Sequence, residues 1–116
     1  ELVQQVGFSS YIPEGCRVVI IPLQGKTSRS IVIATDGAPI VIHVSEGETC
    51  IYDQHGHSVW LKEDGTHITG GDLFIDEGNL YVTNGDVIDK KGSMQEMRDK
   101  YNSHTNGNTP QPTPQM

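Results

Sequence analysis

The sequence predicts an all-β chain that completes its core only by joining copies of itself. Three observations predict it. Glycine recurs at positions 71, 78, 85 and 92, a strict seven-residue period, and Asp72, Asn79 and Asp86 follow the first three. Between these glycines apolar residues mostly alternate with polar ones, the period of a strand and not of a helix. The remaining apolar residues fall in short β-branched runs, and the apolar fraction of 34% is low for a self-sufficient core in a 116-residue chain. A seven-residue unit is too short to bury its own face, so it must stack on its neighbours or wind around other chains. The expected product is a narrow β-structured rod built from several identical chains.

The elements follow in order. Pro13, Glu14 and Gly15 form a turn ahead of Arg17 to Leu23 (RVVIIPL), a β-branched strand that Pro22 demotes to an edge or an exit. Gly25 to Ser28 turns the chain into a second strand, Ser30 to Thr35. This reads as the last hairpin of a small barrel whose earlier strands are missing. The chain opens on Glu1 and not on Met, as expected of a piece cut from a longer protein. Ile40 to Val44 is a third strand, Gly47 a turn, and Thr49 to Asp53 a fourth strand. Gln54 to His57 turns back into Ser58 to Lys62. Asp64-Gly65 gives a two-residue hairpin signal ahead of His67 to Thr69, and Trp60 with Leu61 supplies the packed aromatic anchor. Strand spacing shortens steadily toward the glycine repeat, where Leu73, Ile75, Leu80 and Val82 are expected to face a core shared between chains. Gly78 and Gly85 are expected at corners with positive φ or at close chain approaches.

After the repeat the period changes. Ser93 and Glu96 make a capping box, and Met94, Met97 and Tyr101 fall on one helical stripe over about ten residues. So short a helix is not stable alone in water, and its stripe needs a partner, most simply copies of itself around an axis. Gly107 is expected to end it. Asn108 to Met116, rich in Pro, Thr, Gln and Asn, has the composition of a disordered tail. It is expected to pack along the oligomer. Three segments result: 1–47, a barrel end with connecting strands; 48–92, the rod; and 93–116, the apical helix, tip and tail.

Charge and chemistry narrow the function. Formal net charge is −7, and from Asp36 to Asp89 eleven acidic residues stand against one base, Lys62. That balance does not suit a nucleic-acid footprint, which is basic. In an oligomer these acids repel, so bound cations and a solvated surface are the two readings of them. Cys16 and Cys50, each in an apolar run, read as buried free thiols. No leader and no apolar run of membrane length is read, so neither an ordinary secreted nor an integral membrane protein is expected. His55-Gly56-His57 with Glu63 has the residue types of a cupin-like metal site but not its spacing, and is read as a solvated hairpin tip. His43 and His67 are read as structural or surface histidines. Asp76-Glu77 is the one tight acidic pair in the repeat, and adjacent strand residues point to opposite faces, which does not build the paired carboxylates of a glycosidase. No nucleophile or general base stands out, so no enzyme is expected.

The run from Ser93 to Thr105 (SMQEMRDKYNSHT) closely resembles the C-terminal signature of the phage baseplate assembly protein V family. These are the central tail spikes of contractile-tailed phages, Mu-like ones included. Gly7-Phe8-Ser9-Ser10, Pro13-Glu14-Gly15, Ile51-Tyr52-Asp53 and Trp60-Leu61 also look like the Mu-like spike. The resemblance covers nearly the whole chain. It implies a homotrimer in which the remnant of an OB-type barrel leads into an intertwined triple-stranded β-helix with a short C-terminal helix and a pointed tip. It implies a mechanical function: the spike leads the tail tube through the host outer membrane when the sheath contracts. Its partners would be the baseplate hub and tail proteins of the phage and the host outer membrane, with no nucleic acid. Its place would be the distal end of the tail in the virion, after assembly in the host cytoplasm. The family's tip holds one iron ion through a His-x-His pair from each of three chains. His104 matches the first histidine, and Asn106 stands where the second would be. An amide oxygen is a harder and weaker donor, so iron or another transition metal would bind less selectively on the threefold axis. Calcium and chloride inside the rod are further family features, assigned to no residue here. The alternative from another functional class is a carbohydrate-active or metal-dependent β-protein of the tail.

Overall fold

A computed structural model describes residues 1–116, and the side chains of all but residues 26 and 27. The chain is mostly β with one short helix, and divides into two units, Glu1–Leu73 and Phe74–Met116.

In the first unit β1 (Arg17–Leu23) pairs antiparallel with β2 (Lys26–Asp36). The connection is tighter than the expected Gly25–Ser28 turn. Gln24 and Gly25, with φ of 55° and 70°, make a two-residue turn of the mirror-image kind that matches strand twist. The register steps from Val19↔Ala34 to Ile20↔Val32, so Ile33 bulges out of the ladder. Arg17 closes the far end by bonding Asp36 at 2.6 Å. Leu2 adds a parallel bridge to Val32. The hairpin is therefore present, but no closed barrel is. The expected last hairpin of a barrel is seen as a two-stranded ribbon with a single added bridge. Ile40–Val44, expected as a strand, likewise takes no place in a ladder.

The second sheet has the order β3 (Thr49–Tyr52), β4 (Ser58–Lys62), β5 (Gly65–Thr69), all antiparallel. Its β4–β5 turn is Glu63-Asp64, one residue earlier than the Asp64-Gly65 signal suggests, with Lys62 paired to Gly65. Trp60 is half-buried, donates to Glu48 Oε1 at 3.1 Å, and carries the Lys62 ammonium 4.2 Å above its ring. Ser58, 6% exposed, is the one buried side chain among the described residues, and bonds Thr69 across the sheet at 2.6 Å.

In the second unit the repeat from Phe74 to Val87 takes no part in a ladder and is exposed throughout. Alternation prepares a segment for strand pairing, yet a strand exists only against a partner, and one chain provides none here. β6 (Ile88–Asp89) and β7 (Gly92–Ser93) form a minimal hairpin, and Asp89 Oδ1 accepts from the amides of Lys91 and Gly92. Helix α1 (Met94–Ser103) starts as its capping box requires, with Glu96 N donating to Ser93 Oγ at 3.0 Å. It ends at Ser103 and not at Gly107. His104 turns extended, and its ring bonds back to the Tyr101 carbonyl, satisfying a group that a further turn would have used. Among the described residues no helix is long and apolar enough to cross a membrane.

Candidate functional site

His104, the residue expected at the tip, follows directly on the end of α1. His104 Nδ1 lies 2.6 Å from the Tyr101 carbonyl oxygen. A carbonyl only accepts, so Nδ1 is the donor in this bond. A hydrogen bond of this kind on the second ring nitrogen is the usual way a metal-ligating histidine is oriented. The His104 ring also stacks obliquely on Tyr101, with centroids 5.3 Å apart. The backbone of Asn106 is held in a tight turn, its N–H donating to Thr109 Oγ1 and its carbonyl accepting from both the hydroxyl and the amide of Thr109. These residues fit a metal only in part: one chain supplies one well-oriented imidazole. Among the described residues no group of three or more His, Cys, Asp and Glu converges in a single chain.

The tail is not loose along the helix, and its anchor was not legible in the sequence. Asn102 takes the backbone of Met116 from both sides, donating from Nδ2 to its carbonyl at 3.2 Å and accepting its N–H at 2.9 Å. Gln115 adds a bond to the Asn102 carbonyl. Asn102 and Pro112 are half-buried in a unit that is otherwise almost wholly exposed. The chain therefore runs out along α1, turns at 106–109 and returns. No composition rule reports such a clamp, since it depends on one amide meeting a segment fourteen residues away.

The expected shared-core residues do not meet within one chain. Leu73 and Leu80 remain 63% and 67% exposed, and Ile75, Val82, Met97 and Tyr101 are exposed too. Met94 alone of the stripe is half-buried, at the junction of β7 with α1. Cys16 and Cys50 are free thiols, half-buried.

The β3–β4 turn corrects one expectation. His57 is not merely solvated. Asp53 Oδ1 accepts the amides of His55 and His57, and its Oδ2 accepts the His57 Nδ1 proton at 2.8 Å. An Asp placed just before a turn is the sequence signal for this Asx geometry. These bonds, His57's ring bond first, pull the Asp53 carboxyl from 3.8 down to about 2. Gly70 lets the turn close, because any β-carbon there would run into the Gly56 carbonyl. On the next turn, His67 donates to Asp64 at 2.7 Å and lowers that carboxyl as well.

Comparison with known proteins reaches the N-terminal third. The family model described as Bacteriophage Mu Gp45, N-terminal, matches residues 1–38. No curated protein and no solved structure matches the chain significantly. The matched span holds the N-terminal segment, β1 and β2, and supports a phage protein related to the tail or baseplate.

Proposed function

We propose that this chain is the membrane-piercing tip of a contractile phage tail spike, working as a homotrimer at the distal end of the tail. The observation that carries the proposal is unburied apolar surface. The chain exposes 10333 Å² and has no buried hydrophobic residue among those described. Leu73, Phe74, Leu80, Tyr81 and Ile88 are 63–77% exposed, apolar surface of the kind that association buries. The seven-residue glycine repeat supports copies wound around one axis, and the match at residues 1–38 supports a phage tail setting.

The function follows from mechanics. A piercing device needs stiffness, and interwound strands supply it by pairing every edge. It needs a narrow point, which a short helix with a folded-back tail provides. It needs no nucleophile, and no catalytic step is assigned. At the point, His104 of each chain would face the axis with Asn106 nearby, and a transition metal bound there would act as a crosslink between chains.

Sedimentation equilibrium tests the reading. Three times the chain mass is expected, with no folded monomer on dilution. A compact, stable monomer would overturn it. Vesicle leakage under applied force then separates piercing from a passive tail part, and an assay of lipopolysaccharide turnover separates it from a carbohydrate-active protein.

A further inference from the structure

Two Asn-Gly pairs stand in exposed loops, Asn84-Gly85 and Asn106-Gly107. An asparagine before glycine is open to attack by its own backbone, because glycine has no side chain to keep its nitrogen from the neighbouring amide carbon. The structure gives the two pairs different surroundings.

Residues 106–109 form a β-turn. The Asn106 backbone carbonyl accepts from the Thr109 N–H at 3.1 Å, and Gly107 takes the first central position with φ of +62°. Thr109 adds its side chain: the hydroxyl donates to that same carbonyl at 2.9 Å and accepts the Asn106 N–H at 2.9 Å. Two donors therefore meet one peptide oxygen. That oxygen belongs to the peptide unit whose nitrogen is Gly107 N. When this N–H loses its proton, the negative charge spreads onto the oxygen that both donors face. Donors fixed in advance where charge develops stabilise it without reorganising. Hydrogen bonds to an ionised acceptor are also roughly twice as strong as neutral ones. The turn thus raises the fraction of the anion present at a given pH. Among the described residues the Gly107 N–H and the Asn106 side-chain amide have no hydrogen-bond partner, and a β-carbon added at Gly107 would touch nothing. Asn84-Gly85 lacks the activating bonds: among the described residues no donor reaches the Asn84 carbonyl.

We propose that Asn106 is a self-modification site, converted to aspartate and isoaspartate by the turn that holds it. The Gly107 nitrogen, having given its proton to water, bonds to Asn106 Cγ. The Cγ–Nδ2 bond breaks, and Nδ2 leaves as ammonia with a proton taken back from water. The succinimide ring that results takes up one water molecule. Opening between Cγ and Gly107 N restores the backbone with an aspartate side chain. Opening between the backbone carbonyl carbon and Gly107 N leaves isoaspartate, whose chain runs through Cγ. The net change is amide plus water to carboxylate plus ammonium, with nothing oxidised or reduced. A neutral side chain thereby becomes an anion two residues from His104. The reaction uses this turn alone and depends on neither the oligomer nor a bound metal.

Peptide mapping of the intact chain, aged at neutral pH and body temperature, tests the proposal. Trypsin frees residues 101–116 after Lys100, and fragmentation of that peptide locates the amide-to-acid mass gain among Asn102, Asn106 and Asn108. The gain is expected at Asn106. It should appear several-fold faster in the native chain than in Thr109→Val, which keeps the backbone bond and loses the hydroxyl. Thr109→Ser keeps a hydroxyl and should keep the rate. A native chain whose Asn106 stays an amide overturns the proposal. So does a Thr109→Val rate equal to or above the native one, since a merely exposed Asn-Gly pair reacts without help from the turn.

Discussion

Leu80→Ala is the sharpest probe of a core shared between chains. Leu80 sits in the second unit of the glycine period and keeps 67% of its surface in water. Burying a leucine completely contributes about 1.5–3 kcal/mol, so the two-thirds left for a partner is worth roughly 1–2 kcal/mol. Truncation to alanine removes most of that from each chain. In a trimer the loss occurs three times, about 3–6 kcal/mol per assembly, which lowers the association constant by a factor of about 10² to 10⁴. Sedimentation equilibrium over a wide concentration range measures the shift, with Thr83→Ala as the matched surface control. Leu73 and Leu80 changed together to aspartate should abolish assembly, by placing charges where no partner group answers them. If Leu80→Ala associates as tightly as Thr83→Ala, the repeat does not face a shared core.

Four further outcomes are expected. Gly78 has φ of +92° and Gly85 lies outside the left-handed region, with an added β-carbon only in ordinary contact with Val82 at 3.6 Å. The sequence treats the two glycines alike, but Gly78→Val should destabilise by about 1–3 kcal/mol per chain while Gly85→Val is tolerated, and equal melting temperatures would refute the distinction. Asp53 titrates near 2 in the folded chain against 3.8 unperturbed, so it adds stability above pH 4 that is lost as pH falls toward 2. The melting-temperature gap between the native chain and Asp53→Asn should close over that range, and a gap independent of pH would show that the His57 bond contributes nothing. Asn102→Ala should release the tail while α1 persists, so the Met116 amide would exchange at the rate of a free chain; unchanged protection would remove Asn102 from the anchor. Elemental analysis of protein purified without a nickel column should find one transition metal per three chains, lost in His104→Ala and richer in iron in Asn106→His; metal that survives His104→Ala would place the site elsewhere.

Local chemistry was the most legible part of the sequence. The capping box at Ser93 and Glu96, the turn at Pro13–Gly15, and the strands Arg17–Leu23 and Ser58–Lys62 stand where the residues put them. Each depends on neighbours within a few positions. The misplacements have the opposite origin. Ile40–Val44 and the glycine repeat have strand periodicity without a ladder, because periodicity specifies a face and not the strand that answers it. Gly107 looks like a helix stop, yet the helix ends sooner, because the His104 ring reaches the Tyr101 carbonyl first. At the tip, His104 was legible through a family signature, but the Asn102 clamp was not. Asp53 was legible in principle, as an Asx residue before a turn.

Polar and apolar groups divide the work in this chain, and the division explains why its surface looks unfinished. Many side-chain hydrogen bonds serve a turn or a cap close in sequence: Asp53 with His57, Asp64 with His67, Asp89 with Gly92, Ser93 with Glu96. Such bonds are local, and fix the shape of each segment without a core. The apolar residues do the reverse. Val18 to Ile21, Ile51, Val59, Leu61, Ile68, Leu73 and Leu80 all remain substantially exposed. In the proposed oligomer, polar contacts set the geometry of each segment and association sets the stability. Substitutions at the polar clamps should therefore change local exchange and leave the concentration dependence of melting alone. Substitutions at the apolar residues should do the opposite, moving the concentration at which the structure melts while the clamps stay intact.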